Sequence, residues 1–319
     1  MHMHRYWTAL IALLLVSSMS VSGAAPSNSS PEQPTRAELY GVLDRYLAAL
    51  KVRDPGRVAW AAGARTTENN VELMIGDGLW ATITTLGSYD LRFADVATGQ
   101  VGYFGTVTET SDVSAFTLRL RVEDGKVAEA ETLVVRDADS GIKFPNPKFE
   151  NKPALNHILP IEQRRPRARM IAIADGYFDT LQLNDGTLFT QFDPECNRVE
   201  NGVQTTNNPA LTLVSVAKYG CEAQFKLGNY RIDDRLRARR YPLVDEERGL
   251  VLAGAFIDHA GRLGKFKLTD GTEVESPVRR PHSFMLLELF RIRDGKIQQI
   301  EANFITVPYN MPSPWDTQR

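Results

Sequence analysis

Two stretches of the chain carry the same apolar stripe. Over residues 36–51, apolar side chains fall at Leu39, Leu43, Tyr46, Leu47 and Leu50, the spacing of one buried helix face. Over 167–182 they return at the matching offsets as Met170, Ala174, Tyr177, Phe178 and Leu181. Each stripe is followed by apolar runs rich in β-branched and aromatic residues. These predict strands near 89–97, 100–109, 114–123 and 126–136, and again near 236–244, 249–258, 283–293 and 296–307. A further short helix is expected over 78–86. Asp124-Gly125 and Asp294-Gly295 each separate two apolar runs, the strongest short-range hairpin pattern.

The correspondence extends beyond the helices. Arg65-Thr-Thr-Glu68-Asn69-Asn70-Val71 parallels Arg198-Val-Glu200-Asn201-Gly202-Val203, and Arg121-Val-Glu-Asp124-Gly125-Lys126-Val127 parallels Arg291-Ile-Arg-Asp294-Gly295-Lys296-Ile297. Three matches in the same order indicate a tandem repeat. The second copy carries extra residues around Cys221 and between Ala260 and Pro281. Helices first and antiparallel strands after define an α+β class. The domain organisation is a first domain over 36–136, a linker rich in Pro, Asn and Lys over 137–163, and a second domain over 164–315.

The N-terminus changes the expected compartment. Arg5, the apolar run Trp7–Val16 and the small residues Ser22-Gly23-Ala24 predict a signal peptide over 1–24. A Pro/Ser-rich disordered leader is expected over 25–35. After it no run approaches the length of a membrane span, so the expected location is secreted or periplasmic, with no membrane partner. In such a compartment Cys196 and Cys221, the two cysteines of the chain, most simply form one disulfide. Of 319 residues, 43% are apolar and 24% charged, and 37 basic against 39 acidic residues leave a net charge of −2. That balance argues against disorder and against a nucleic-acid partner.

Helices followed by a curved antiparallel sheet resemble the nuclear transport factor 2-like superfamily. The segments Thr67-Glu68-Asn69-Asn70-Val71 and Gly76-Asp77-Gly78-Leu79-Trp80 resemble its SnoaL-like branch. The second half resembles a group of secreted, mostly uncharacterised proteins well represented in filamentous fungi. The matching pieces are Cys196–Val203, Phe256-Ile-Asp258-His259, Ile300-Glu301-Ala302 and Val307–Trp315. The resemblance implies two tandem cone-shaped domains, each with helices packed on a curved antiparallel sheet, joined as an intrachain pseudo-dimer. The superfamily includes ketosteroid isomerase-like, scytalone dehydratase-like and epoxide hydrolase-like enzymes, polyketide cyclases and non-catalytic binding modules, so fold alone names no reaction.

Candidate chemistry centres on the last hairpin. With Asp294-Gly295 as a two-residue turn, Glu288 stands opposite Glu301, flanked by Leu286, Phe290 and Asn303 on one face. A buried like-charge pair raises one pKa and suits a general acid and base. The equivalent pair in the first copy is Leu118 and Glu131, which places any activity in the second. His259 ends one strand and His282 begins the next, with Asp258 adjacent, which suggests a proton-transfer pair or, as an alternative, a metal site. Relatives with a helix tyrosine donating to an oxyanion single out Tyr177, and the family position of a catalytic carboxylate falls on Glu200-Asn201. Asn303, Asp258 and Asn201 are expected to contact substrate. No P-loop, GxGxxG, GxSxG or HExxH motif is present, and no cofactor is expected.

These observations predict a secreted, cofactor-independent enzyme working by acid/base proton transfer, an isomerase, dehydratase or other lyase. Its substrate is a small apolar molecule, aromatic or polyketide-like. The alternatives are a non-catalytic secreted binding or structural module and a metal-dependent hydrolase.

Overall fold

The computed structural model describes residues 33–316. The signal peptide expected over 1–24 and most of the leader expected over 25–35 lie outside the described residues. The first copy opens with helix α1 (Arg36–Lys51), entered through a capping box in which Thr35 and Glu38 satisfy each other's backbone N–H groups. Strands β1 (Trp60–Glu68) and β2 (Val71–Leu73) follow, then the single-turn helix α2 (Leu79–Thr82). Four long strands complete the copy: β3 (Ile83–Asp95), β4 (Gln100–Glu109), β5 (Asp112–Glu123) and β6 (Lys126–Val135). The linker holds a short helix, α3 (Pro153–Asn156).

The second copy repeats the plan with α4 (Arg167–Leu183), β7 (Phe192–Glu200), β8 (Val203–Gln204), the short helix α5 (Cys221–Lys226), β9 (Arg235–Asp245) and β10 (Leu250–His259). A small hairpin of β11 (Lys265–Lys267) and β12 (Glu273–Glu275) fills the excursion expected between Ala260 and Pro281. Strands β13 (His282–Arg293) and β14 (Lys296–Val307) close the copy. The helix expected over 78–86 is only one turn long. The β-branched run Ile83-Thr84-Thr85 starts β3 instead, and a Cβ at Gly87 would strike the Thr106 side chain on β4.

Both six-stranded sheets have the same order, β2-β1-β6-β5-β4-β3 and β8-β7-β14-β13-β10-β9, with one parallel pair each, β1 to β6 and β7 to β14. The protein is thus α+β with two tandem copies of one fold. Cys196 and Cys221 are joined in a disulfide that ties α5 to β7.

Each sheet is apolar on both faces. The inner face packs on the copy's own long helix: Leu43, Tyr46 and Leu50 meet Phe116 and Leu118 in the first copy, and Tyr177 and Phe178 meet Leu286 and Phe290 in the second. The outer faces pack on each other, with Phe93, Phe104 and Leu133 in one core with Leu252, Leu287 and Leu289. Burial of these outer-face side chains supplies the main attraction between the copies.

Polar groups lock that interface in a reciprocal way. Arg36, at the start of α1, pairs with Asp245 at the end of β9 at 2.5 Å, and Arg167, at the start of α4, pairs with Asp95 at the end of β3 at 2.6 Å. Each aspartate also accepts a backbone N–H from the other copy: Val244 donates to Asp95 at 2.9 Å and Ala94 to Asp245 at 3.2 Å. The contact is isologous, like that of a two-fold dimer, but within one chain. Nearby, the fully buried Glu131 is clamped between Arg119 of its own sheet and Arg240 of the other. Burial alone would push its carboxyl up, but Arg240 and Arg119 together hold it below the ordinary range. Arg240 reaches across because β10 has Gly254 there; a Cβ would stand 2.7 Å from the guanidinium.

The reciprocal clasp gives a direct test. Asp95→Ala removes the acceptor of half-buried Arg167 and of the buried Val244 N–H; Asp245→Ala removes that of the buried Ala94 N–H and leaves half-buried Arg36 with the exposed Glu247 alone. Urea unfolding should show each variant less stable by about 3 kcal/mol, and the two losses should be of similar size. A loss in one variant and none in the other would contradict the symmetric role.

Candidate functional site

The inner face of the second copy carries an enclosed group of polar side chains. Tyr177 lies on the α4 stripe, so its ring points down onto the sheet. It meets Phe290 at 5.0 Å, Phe178 at 5.4 Å and Phe225 of α5 at 5.4 Å between ring centroids. Its hydroxyl reaches the carboxyl of Glu288 on β13. Burial first, then the neighbouring Glu288, pushes the Tyr177 hydroxyl well above its ordinary pKa, so it is a neutral donor.

Beside them Arg198 of β7 sits between the rings of Phe225 and Tyr230, at 5.3 and 4.9 Å, pairs with Glu200 at 3.2 Å and donates to the Tyr230 hydroxyl. Tyr230 donates to Gln224 at 2.8 Å, and the Gln224 amide donates to the carbonyls of Thr205 and Val216 at 2.6 and 2.9 Å. Arg198, Gln224 and Tyr230 were not among the residues expected from sequence. Two of them flank the cysteines, Arg198 two residues past Cys196 and Gln224 three past Cys221, so the disulfide holds this network together.

Glu288 stands apart from every other buried acid. Seven carboxylates are buried among the described residues. Six face a basic partner: Asp95 with Arg167, Glu131 with Arg119 and Arg240, Asp233 with His259, Asp245 with Arg36, Asp258 with Arg235 and Arg237, and Glu301 with Lys152. Glu288, 3% exposed, has no cation within ion-pair distance among the described residues. Desolvation raises its pKa to about 8; Arg198 opposes the rise and Glu200 adds to it. At neutral pH it is mainly a protonated acid in an aromatic-lined interior.

The expected Glu288–Glu301 opposition is absent. A β-bulge at Gln298 shifts the pairing, so Arg293 still meets Lys296 and Ile292 meets Ile297, but Arg291 meets Gln299. From there Glu288 pairs with Ala302 and Leu289 with Glu301. A shift of one residue moves side chains to the other face. Glu301 therefore lies on the outer face, bonded to Lys152 of the linker. Asn303 follows it there and donates to Thr117 of the first copy at 2.7 Å. The first copy has the same bulge at Ala128, so Leu118 meets Thr132, and Glu131 meets Arg119 rather than Leu118.

The remaining candidates separate as well. His259 and His282 are register partners with rings stacked at 4.7 Å, and His259 Nε2 lies 3.0 Å from Asp233. Burial lowers the His282 pKa. Asp258 is on the opposite face, held by Arg235, Arg237 and Ser283, so the two imidazoles and Asp258 do not converge. No group of three or more His, Cys, Asp or Glu suited to a metal ion occurs among the described residues. The histidines share the inner face with Glu288 but stand about 20 Å along the strand from it. Asn201 holds the last strand: its amide donates to the carbonyl of Phe304 at 3.1 Å and accepts the Phe304 N–H at 2.9 Å. Asn69 does the same to Val134 in the first copy, at 3.0 and 2.8 Å. The repeated Glu-Asn motif thus has a structural use in both copies.

Residues 163–304 match a family model described as a domain of unknown function (DUF8021). No curated protein matches the chain. Among solved structures, the chain is similar to a protein of unknown function with a cystatin-like fold from Methylobium petroleophilum, at 16% identity and TM-score 0.30, covering 35% of this chain and 84% of that one. It is also similar to a nuclear transport factor 2-like protein of unknown function from Burkholderia xenovorans, at 8% identity and TM-score 0.24, covering 39% and 96%. A third is an LEH-like epoxide hydrolase from M. tuberculosis, at 15% identity and TM-score 0.22, covering 31% and 83%.

Proposed function

We propose that the chain is an exported, cofactor-independent enzyme that moves a proton on a small apolar molecule, with Glu288 as the group that gives and takes it. The observation behind this reading is the isolation of Glu288, a buried carboxyl whose one polar contact of note is a tyrosine hydroxyl. The fold does not need an acid there, because Leu118 fills the equivalent place in the first copy. Its aromatic surroundings suit an aromatic or polyketide-like ring. In this reading protonated Glu288 delivers its proton to a carbonyl or leaving hydroxyl, and the carboxylate then recovers one from carbon. Tyr177 orients the carboxyl and supports charge developing on the substrate oxygen. Export rests on the apolar N-terminal stretch and agrees with the buried disulfide.

A non-catalytic binding module is the second reading. What favours it is that two clefts, of about 530 and 510 Å³, lie on the outer side of the second copy and neither is lined by Glu288. The cavity beside Tyr46 and Glu68 in the first copy, about 20 Å³, has room for about one water.

Incubation with a panel of cyclic ketones, enones and aryl alcohols in D₂O, followed by NMR, tests the choice. The wild type should incorporate deuterium or form product with at least one compound. Glu288→Gln should reduce that rate by about 100-fold, and Tyr177→Phe by about tenfold. Glu301→Gln should keep the rate, since Glu301 lies on the other face. Equal rates for wild type and Glu288→Gln would sink the enzyme reading.

Stability gives a second check. The Glu288 carboxyl titrates near 8 when folded and near 4.5 when free, so between those values the folded state binds more protons than the unfolded one. The favourable contribution of its neutral form is fully present below pH 4.5 and is lost as pH rises through 8. The advantage of Glu288→Gln over wild type should grow between pH 5 and 8, by up to about 1.4 kcal/mol per pH unit, and level off beyond. Parallel stability curves for the two proteins would show a solvated carboxylate.

A further inference from the structure

Three arginines are buried among the described residues. Arg119 faces Glu129 and Glu131, and Arg198 faces Glu200. Arg291, 3% exposed, faces no carboxylate within ion-pair distance among the described residues. Its Nη1 donates to the carbonyls of His157 and Arg248. Its Nε is buried without a partner, and its Nη2 makes no hydrogen bond to another described residue. Burial and the nearby Arg293 push its pKa down to about 10.

The first copy shows what is missing. Arg121 occupies the equivalent strand position, meets Glu129 across the bulge and bonds it at 3.1 Å. In the second copy Gln299 stands where Glu129 stands. The internal counter-charge has been replaced by a neutral amide, while the arginine has become more buried.

Arg291 lines the cleft of about 530 Å³ beneath α3. Arg291, Gln299 and Asn197 form a row across β13, β14 and β7. At ordinary strand spacing this row spans about 10 Å, the breadth of a substituted six-membered ring. The bulge turns Gln298 toward the same cleft. The amide nitrogens of Gln299, Gln204 and Asn207 are engaged by Glu301 and Asn197, at 3.0, 3.2 and 2.9 Å. Their carbonyl oxygens accept no hydrogen bond from the described residues. These three acceptors, on side chains half-buried or exposed along the cleft wall, match a ligand rich in O–H donors. The single carboxylate lining the cleft, Glu195, lies on β7, two strands from Arg291.

We propose that this cleft binds a small hydroxylated carboxylate of the sugar-acid class, its carboxylate on Arg291 and its hydroxyls on Gln299, Gln204 and Asn207. A bare inorganic anion would leave the acceptors unused, and a neutral sugar would leave the arginine uncompensated. The site is separate from the Glu288 interior and does not rest on the proton-transfer reading.

Isothermal titration of the protein with D-galacturonate and with D-galactose tests it. Galacturonate should bind at least about tenfold more tightly than galactose, the worth of one charge-assisted hydrogen bond. Gln299→Glu sets a carboxylate opposite Arg291, as Glu129 stands opposite Arg121 in the first copy, and should weaken galacturonate by at least about tenfold, with a cooperative thermal transition showing that the variant is folded. Arg291→Gln should abolish the preference for galacturonate. No binding of either probe, equal binding of both, or unchanged galacturonate affinity in Gln299→Glu would each overturn the proposal.

Discussion

Each sheet in this protein has two apolar faces and only one long helix to cover them. The uncovered face cannot be left in water, and the second copy supplies the cover. From that constraint follow the joint core of Phe93, Phe104, Leu252 and Leu287, and the position of the linker along its rim. The reciprocal Arg36–Asp245 and Arg167–Asp95 pairs set the register of the contact rather than drive it. Buried ion pairs contribute little net stability, yet they penalise any arrangement that leaves one partner alone.

Duplication also provides an internal comparison. The two copies share strand order, bulge position and the asparagine that fastens the last strand, so these features belong to the fold. The second copy adds the disulfide-bonded α5 and the β11–β12 excursion, and two of its differences are single side chains on one strand. On β13, Glu288 replaces the kind of apolar residue found at Leu118, and Arg291 keeps its charge while losing the acid found at Glu129. Both uncompensated groups lie three residues apart on one strand, and they face opposite sides of the sheet. One is an acid in an aromatic interior, the other a cation in a polar cleft. Neither helps the fold: a buried cation without a partner costs stability, and a buried carboxyl without one must give up its charge.

Placement of the carboxylates shows how little separates two readings of one hairpin. Asp294 and Gly295 adopt the positive φ values that a two-residue turn requires, 52° and 78°, as their sequence predicts. The turn fixes the first two pairs, and then one extra residue at Gln298 moves Glu301 and Asn303 to the outer face. Nothing in a Gln-Gln pair announces a bulge. It is set by how strongly the strands must twist to pack against both a helix and a second sheet. Strand alternation, with no bulge, is what turns Asp258 away from its neighbour His259, and the unbroken β10–β13 register keeps the two histidines together.

What the sequence determined by itself was local or short-range: the helix stripes, the hairpin turns, the order of strands in two similar copies, and the pairing of two cysteines. These depend on periodicity and backbone conformation, which neighbours along the chain already specify. The tertiary structure alone decided which acids keep a partner. Glu131, Glu301 and Glu288 are alike in sequence, each a lone acid between uncharged neighbours on a strand. One meets two arginines, one of them from the other copy; one meets a lysine from the linker; and one meets a tyrosine. The energy of a buried charge depends on groups brought close by packing, most of them distant along the chain, so its protonation state is a property of the folded molecule and not of the segment that carries it.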